Sequence, residues 1–296
     1  MFWSAAEVHE ATTLDQASEL LARFGSQAQL MMGGTDLLID IQTGRARPSH
    51  IVSLNRVTSL GGITAVDDGV RIGAAATISQ LEMSDIIRER FPAILDPVRE
   101  MGSPQIRNMS TVGGNIAGAV PSADLPPILM VMNARVTLWS RSGQRVLPLE
   151  ALFTGPRQTA RRDDEVLTEI VIPFPPARFG AAYMRFSLRK TNALAVAAVA
   201  AGLVFGEDGK IQKARIGLCA VAPTSKLVEV TPLLEGQVLD EASISRAAAA
   251  AVEACQTRSS IRGQAEFRHS LVDALTRRAL ATAGQRAQAE SGARHP

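Results

Sequence analysis

The 296-residue sequence predicts an α+β protein built from three successive units. Its length exceeds what one small core can organise and suits two or three domains. Three patterns mark the units: a strand, a glycine pair and a helix near the amino terminus, short strands broken by turns in the middle, and longer strands followed by helices. We expect the units at residues 1–56, 57–176 and 177–285, with a flexible polar tail at 286–296.

The composition excludes several classes of protein. With 31 basic and 29 acidic residues the net charge is only +2, so no overall field favours nucleic acid or a membrane surface. No apolar run reaches the roughly 18 residues of a membrane span, and the amino terminus lacks a signal-peptide pattern. Cys219 and Cys255 are too far apart for an iron–sulfur or zinc motif. Two free thiols suit a reducing cytoplasm, where we expect the protein.

The first unit reads as a small α/β arrangement. Apolar residues recur at helical spacing from Thr13 to Phe24, and Gly25 suits a helix end. An apolar strand at 28–32 then stops at a glycine pair, and a helix is expected at 36–41. A further strand at 50–54 completes the unit.

The middle unit is predicted to mix short strands and helices. A hairpin turns at Asp67-Asp68-Gly69, one helix is capped by Thr77 or Ser79 and runs through Ile87, and another spans 93–101. Strands are expected at 134–139 and 145–149. An alternating strand at 165–172 ends before the prolines at 173–176, where we place the second boundary.

The third unit is predicted to form one sheet followed by helices. Strands are expected at 181–186, 195–205 and 214–222. The alanine-rich run from 195 to 201 could equally be helical by propensity, and the turn at Glu207-Asp208-Gly209-Lys210 favours the strand. Helices at 240–254 and 267–283 follow.

Two glycine-rich segments carry the clearest chemical signal. Met32-Gly33-Gly34-Thr35-Asp36 and Ser110-Thr111-Val112-Gly113-Gly114-Asn115 both place paired glycines beside hydroxyl or amide side chains. Glycine lets backbone N–H groups approach an anion, so the two segments could clamp one pyrophosphate. The alternative for each is a sharp turn that only requires glycine.

The remaining polar residues give weaker signals. The four histidines are scattered, so neither a metal site nor a catalytic triad is predicted. Asp36 and Asp124 follow turns, where a carboxylate caps a backbone N–H or binds a ligand hydroxyl rather than acting as a base. The basic cluster 157–162 reads as a solvated loop. For Arg185 and its basic neighbours at 189 and 190, a contact with a cofactor or partner and a plain surface position are equally compatible with the sequence.

Four segments together resemble the FAD-binding medium subunit of the molybdenum hydroxylases. They are MGGTDLL at 32–38, STVGGNIAGAVPSADLPP at 110–127, EVLTEIVIP at 165–173 and FSLRKTNALAV at 186–196. The family includes the flavin-binding parts of xanthine dehydrogenase, carbon monoxide dehydrogenase and 4-hydroxybenzoyl-CoA reductase. The resemblance runs from near the start of the chain to about residue 285.

The resemblance implies a two-subdomain FAD-binding fold of the vanillyl-alcohol-oxidase (PCMH) type, followed by a small α+β domain of the carbon monoxide dehydrogenase flavoprotein type. It implies no catalytic residue and no metal ligand. Relatives differ at Met184, where some carry lysine, and at Ala193, where some carry a larger residue. The positions implied to bind FAD are Leu30, Met31, Met32, Gly33, Gly34, Thr35, Asp36, Leu37, Met101, Ser110, Thr111, Gly113, Gly114, Asn115, Asp124, Leu167, Met184 and Arg185.

The resemblance also implies an electron-transfer complex. A large subunit would hold a molybdenum-pterin cofactor, a small subunit would hold two [2Fe–2S] clusters, and the whole would form a dimer of heterotrimers. FAD in this chain would pass electrons to NAD, a quinone or oxygen. Two alternatives remain at this point: a self-sufficient FAD oxidase of the same fold, and a scaffold subunit without the nucleotide, which the intact glycine segments disfavour.

Overall fold

The computed structural model describes residues 6–293 and begins with a parallel three-stranded sheet. Its strand order is β1-β3-β2, and the predicted elements of this part are confirmed. Thr13 caps the first helix by accepting a hydrogen bond from the Gln16 N–H at 3.2 Å. The elements are β1 Glu7–Glu10, α1 Leu14–Phe24, β2 Ala28–Met31, α2 Leu37–Gln42 and β3 His50–Ser53.

The middle part of the chain forms an antiparallel sheet of order β4-β5-β10-β6-β7, and β8 pairs with β9 in a separate ribbon. The predicted hairpin, the strand pair after it and the central strand β10 are confirmed. The elements are β4 Ile63–Val66, β5 Gly69–Gly73, α3 Ile78–Met83, α4 Asp85–Arg90, α5 Leu95–Glu100, α6 Pro104–Met109, α7 Val112–Ala117, α8 Leu125–Val131, β6 Arg135–Ser140, β7 Gly143–Pro148, β8 Phe153–Gly155, β9 Gln158–Thr159 and β10 Val166–Pro173.

Two expectations for the middle part are corrected. The helix expected through Ile87 is two helices, because Ser84 adopts an extended conformation between α3 and α4. Thr77 is the cap and forms a capping box with Gln80. The second glycine segment is not an open loop: Thr111 caps α7, and both glycines lie in its first turn.

The last part forms an antiparallel sheet of order β11-β12-β13-β14. The alanine-rich run is a strand, as the following turn predicts. Alternate residues of β12 enter two different cores: Ala198 packs with α8, whereas Val199 packs with α11. The elements are β11 Phe179–Ser187, β12 Ala195–Phe205, β13 Ile211–Cys219, β14 Lys226–Glu229, α9 Thr231–Leu234, α10 Glu241–Glu253 and α11 Ala265–Ala293.

A helix extends into the polar tail expected at 286–296, and residues 294–296 of that tail lie outside the described residues. Helix α11 continues to Ala293. Arg286 donates to Asp96 of α5 at 2.6 Å and to the Ala181 carbonyl at 2.8 Å, so this turn is tied to the body of the protein. None of the helices within residues 6–293 is long and apolar enough to cross a bilayer.

Candidate cofactor-binding cleft

A cleft of about 500 Å³ lies where β2 and α2 of the first sheet meet α7 and β10 of the middle part. Both glycine segments line it, although 75 residues lie between Gly34 and Ser110 along the chain. Most of the positions predicted from the sequence therefore come together. They are Leu30, Met31, Met32, Gly33, Gly34, Thr35, Asp36, Leu37, Ser110, Thr111, Gly113, Gly114, Asn115 and Leu167.

The first glycine segment presents a run of unused backbone donors. Among the described residues, no protein acceptor binds the N–H groups of residues 32–36. Gly34 has φ +68°, a conformation that glycine adopts without strain. Gly33 lies against α6, since a Cβ atom there would be 1.8 Å from the Met109 carbonyl oxygen. Glycine is thus required at 33 for the two segments to meet, and the turn leaves its N–H groups for a ligand.

The second glycine segment is built differently. The N–H groups of Val112 and Gly113 donate to the carbonyls of Ala76 and Ala74, both at 2.9 Å, and that of Gly114 donates to the Thr111 hydroxyl at 3.1 Å. The expected nest of free N–H groups is therefore wrong for this segment. What faces the cleft unpaired is a side chain, because Asn115 Oδ1 is buried without a partner among the described residues.

Two arginines of the basic cluster 157–162, which was expected to form a solvated loop, line the cleft. Arg45, from another part of the chain, lines it as well. Arg157 and Arg45 both pair with the buried carboxylate of Asp40, the latter at 2.8 Å. Arg161 lies at the same cleft, and burial lowers its pKa. Sequence reasoning missed these residues because their only signal is the fold, which brings the β8–β9 ribbon beside α2.

Asp36 also lines the cleft, within the influence of Arg157, Asp40 and Arg45. Burial raises the pKa of its carboxyl group, while Arg157 opposes the rise. Asp36 makes no side-chain capping bond to α2. Of the two roles considered for Asp36, capping a backbone N–H at the start of α2 is therefore excluded.

Asp124 and Arg185 are brought together elsewhere. Asp124 accepts hydrogen bonds from the Tyr183 hydroxyl at 2.6 Å and from Arg185 Nη1 at 3.2 Å. Burial raises the pKa of Asp124, and Arg185 opposes this. Neither residue lines the glycine cleft. Arg185 instead lines a second cavity of about 320 Å³ beside Met184.

Met101 lies apart from both cavities. It packs against the core of the middle part, and its carbonyl accepts a hydrogen bond from Arg107 at 3.1 Å. The four predicted positions outside the cleft are thus Met101, Asp124, Met184 and Arg185. Three of them form or adjoin the second cavity, and Met101 joins neither.

The histidines are not all scattered in space. Parallel pairing of β1 with β3 places His9 Nε2 3.1 Å from His50 Nδ1. Glu7 lies beside both rings. No local pattern indicates this contact, because 40 residues lie between the two histidines and only sheet pairing aligns them.

The residues of the cleft fit a dinucleotide with a diphosphate. A diphosphate needs several donors converging on its oxygens, and the free N–H groups of 32–36 with nearby arginines supply them. Asn115 adds a buried polar atom that lacks a protein partner. Apolar walls from Leu30 and Leu167 suit ring systems.

Comparison with known families matches nearly the whole chain. A family model described as the FAD binding domain in molybdopterin dehydrogenase matches residues 4–175, and one described as the CO dehydrogenase flavoprotein C-terminal domain matches residues 182–283. Together they confirm the predicted α+β fold class, an FAD-binding fold followed by a flavoprotein-type C-terminal domain.

Individual relatives are similar in sequence to nearly the whole of this chain. The carbon monoxide dehydrogenase medium chain of Hydrogenophaga pseudoflava is 32% identical over 282 residues, covering 95% of this chain and 97% of the relative. The xanthine dehydrogenase FAD-binding subunit of Escherichia coli O157:H7 is 31% identical, with 94% and 96% covered.

Solved structures are similar to the same extent. Carbon monoxide dehydrogenase from Hydrogenophaga pseudoflava, in a form lacking the Mo-pyranopterin moiety of its cofactor, superposes with a TM-score of 0.93 at 31% identity over 97% of this chain and 99% of that chain. Quinoline 2-oxidoreductase from Pseudomonas putida 86 gives 0.89 at 27% identity over 97% and 99%. The chain is therefore an oxidoreductase subunit and belongs to the family of FAD-binding subunits of the molybdenum hydroxylases.

Proposed function

We propose that this chain holds FAD in the glycine cleft and serves as the electron-transfer subunit of a heteromeric molybdenum hydroxylase. The observation that carries the proposal is the run of free N–H groups at 32–36, facing Asn115 and Arg157 across one cleft. Bound FAD would supply the exchange of electrons between two-electron and one-electron partners. The protein would bind and orient it.

Specific residues of the cleft would divide this work. The backbone at 32–36 would bind the diphosphate, and Asn115 would accept a hydrogen bond from a cofactor N–H or hydroxyl. Arg157 and Arg161 would supply positive charge near the phosphates, although Asp40 neutralises part of it. Met184, Arg185 and Asp124 would lie toward the second cavity, and Met101 would act only through packing.

The remainder of the reaction would take place in partner subunits. This chain has two cysteines, fewer than the four that a Cys₄ [2Fe–2S] cluster needs, so we assign the clusters to a partner. We propose a large subunit with a molybdenum-pterin cofactor and a small subunit with two [2Fe–2S] clusters, assembled as a dimer of heterotrimers. Relatives named as a medium chain and an FAD-binding subunit support the existence of partner subunits. NAD, a quinone or oxygen would accept the electrons, in the cytoplasm.

A glycine variant tests the cleft. In Gly33→Ala the new Cβ would collide with the Met109 carbonyl, so the two glycine segments must separate and the donors at 32–36 must move. We expect FAD to bind at least about tenfold more weakly, which corresponds to about 1.4 kcal/mol. Gly61→Ala is the matched control, because a Cβ atom there is 3.5 Å from its nearest neighbour. Fluorescence titration with FAD measures both, and equal affinities would contradict the proposed site.

Co-purification tests the complex. We expect the tagged chain, expressed in its native host, to retain two further subunits together with molybdenum, iron and FAD. The chain purified alone should contain FAD and oxidise neither N-heterocycles nor aldehydes. Turnover of such substrates by the isolated chain would favour the self-sufficient oxidase instead.

A further inference from the structure

The amino-terminal sheet carries a cluster of metal-ligating side chains that is separate from the cofactor cleft. Residues Glu7 and His9 point from β1, and His50 points from β3, which pairs with β1 in parallel. Their ligand atoms all lie within 4.8 Å of one another. None of the three lines the glycine cleft.

The spacing of these atoms suits one tetrahedral ion. His9 Nε2 and His50 Nδ1 are 3.1 Å apart, and the Glu7 carboxylate oxygens lie 3.9 Å and 3.6 Å from them. Two ligands at about 2.0–2.1 Å from a tetrahedral zinc ion are about 3.3 Å apart. The two nitrogens already meet this requirement, and a single Glu7 oxygen lies within 4.8 Å of both, so a change of its exposed side chain would complete the set.

The surroundings favour a partly enclosed site. Phe24 stacks on both imidazoles, with ring centroids 5.0 Å from His9 and 3.7 Å from His50. The histidine side chains are 18% and 17% exposed, whereas Glu7 is 68% exposed. The rings are therefore held by packing, and the carboxylate side remains open to water for a fourth ligand.

We propose that Glu7, His9 and His50 bind a divalent first-row transition ion, with Zn²⁺ as the best match. Two neutral imidazoles and one carboxylate are a borderline nitrogen and oxygen donor set that suits zinc. Both facing nitrogens must be free of protons, so each ring carries its proton on its other nitrogen. The ion replaces the hydrogen bond between the rings and links β1 to β3.

Zinc titration of the full-length chain, loaded with FAD and free of any polyhistidine tag, tests the site. We expect isothermal titration calorimetry to give one saturable Zn²⁺ site per chain. His9→Gln and His50→Asn keep a polar atom near each position but remove the imidazole. Each should weaken Zn²⁺ binding at least tenfold, since loss of even an outer partner of a zinc ligand costs about 10–100-fold. His269→Gln is the matched control and should leave the affinity unchanged.

X-ray absorption at the zinc edge provides a second measurement. Two imidazoles with nitrogen at about 2.0–2.1 Å would support the assignment. Flavin content equal to that of the unmodified chain will show that the variants fold. If they do not fold, Glu7→Gln, at the exposed member of the cluster, replaces them. Absence of saturable zinc binding, or equal affinity in a folded variant and the unmodified chain, would overturn the proposal.

Discussion

Asp124 illustrates how a residue found by motif acquires a more specific role in the structure. Its buried carboxylate accepts hydrogen bonds from two donors, Tyr183 and Arg185. Arg185 is 2% exposed and also lies 3.3 Å from Glu100. The Asp124 carboxylate therefore pairs with a buried positive charge, whatever it contributes to the cofactor.

Asp124→Ala should lower the free energy of unfolding by about 3 kcal/mol, since it leaves the buried Arg185 guanidinium without its main partner. Tyr183→Phe removes only one hydrogen bond and should cost about 1 kcal/mol. Urea unfolding of the FAD-free chain measures both values. If Asp124→Ala leaves this free energy unchanged and weakens FAD binding, the carboxylate contacts the cofactor rather than supporting the fold.

At the scale of elements, Glu165 joins two strands of the middle sheet. It precedes β10 and accepts two hydrogen bonds from Arg145 of β7, at 2.6 and 2.7 Å, together with one from the Arg162 N–H at 2.7 Å. Hydrogen bonding to Arg145 holds the pKa of Glu165 below its ordinary value of 4.5. The ionised carboxylate is therefore favoured by folding.

Glu165→Gln should lose about 1–2 kcal/mol of stability at pH 7. A depressed folded pKa stabilises the protein above the unfolded pKa, and this stabilisation is lost as pH falls through the folded value. The difference between the variant and the unmodified chain should thus shrink below about pH 4.5. Thermal unfolding across pH 3–7 measures it, with the exposed Glu150→Gln as control. A difference independent of pH would contradict this role.

At the scale of the whole molecule, the cleft connects the first sheet to the middle part. Elements from both sides line it, so a ligand held there stabilises their association. The C-terminal sheet joins the middle part through α8, which is buried along its whole length. We therefore expect bound cofactor to stabilise mainly the junction between the first sheet and the middle part, where the hydrophobic core is smaller.

FAD at 100 times its dissociation constant should stabilise the chain by about 2.7 kcal/mol. For a chain of this size that raises the melting temperature by roughly 4–5 °C. FMN has one phosphate and no adenosine, so it should raise the temperature much less at the same concentration. Differential scanning calorimetry compares the two. Equal effects of FAD and FMN would show that the glycine cleft does not bind the adenylate half of FAD.

The sequence by itself determined the order of elements and most of the cleft. Periodicity predicts α1 and β10 because burial on one face imposes a pattern on local sequence, whereas β12 is predicted by the turn that follows it. The first glycine pair indicates where the two segments meet. Close approach of the segments requires glycine at 33, and a positive φ favours glycine at 34. Fourteen of the eighteen positions that the family resemblance implies for FAD line the cleft.

Only the tertiary structure decided which charges and imidazoles meet. Arg157 reaches Asp40 across 117 residues, and Arg286 reaches Asp96 across 190, so neither pair leaves a local pattern. His9 and His50 adjoin only because two strands pair in parallel with a given register. Local sequence encodes periodicity and backbone freedom, whereas contacts between distant polar side chains depend on how the elements pack, which no short segment records.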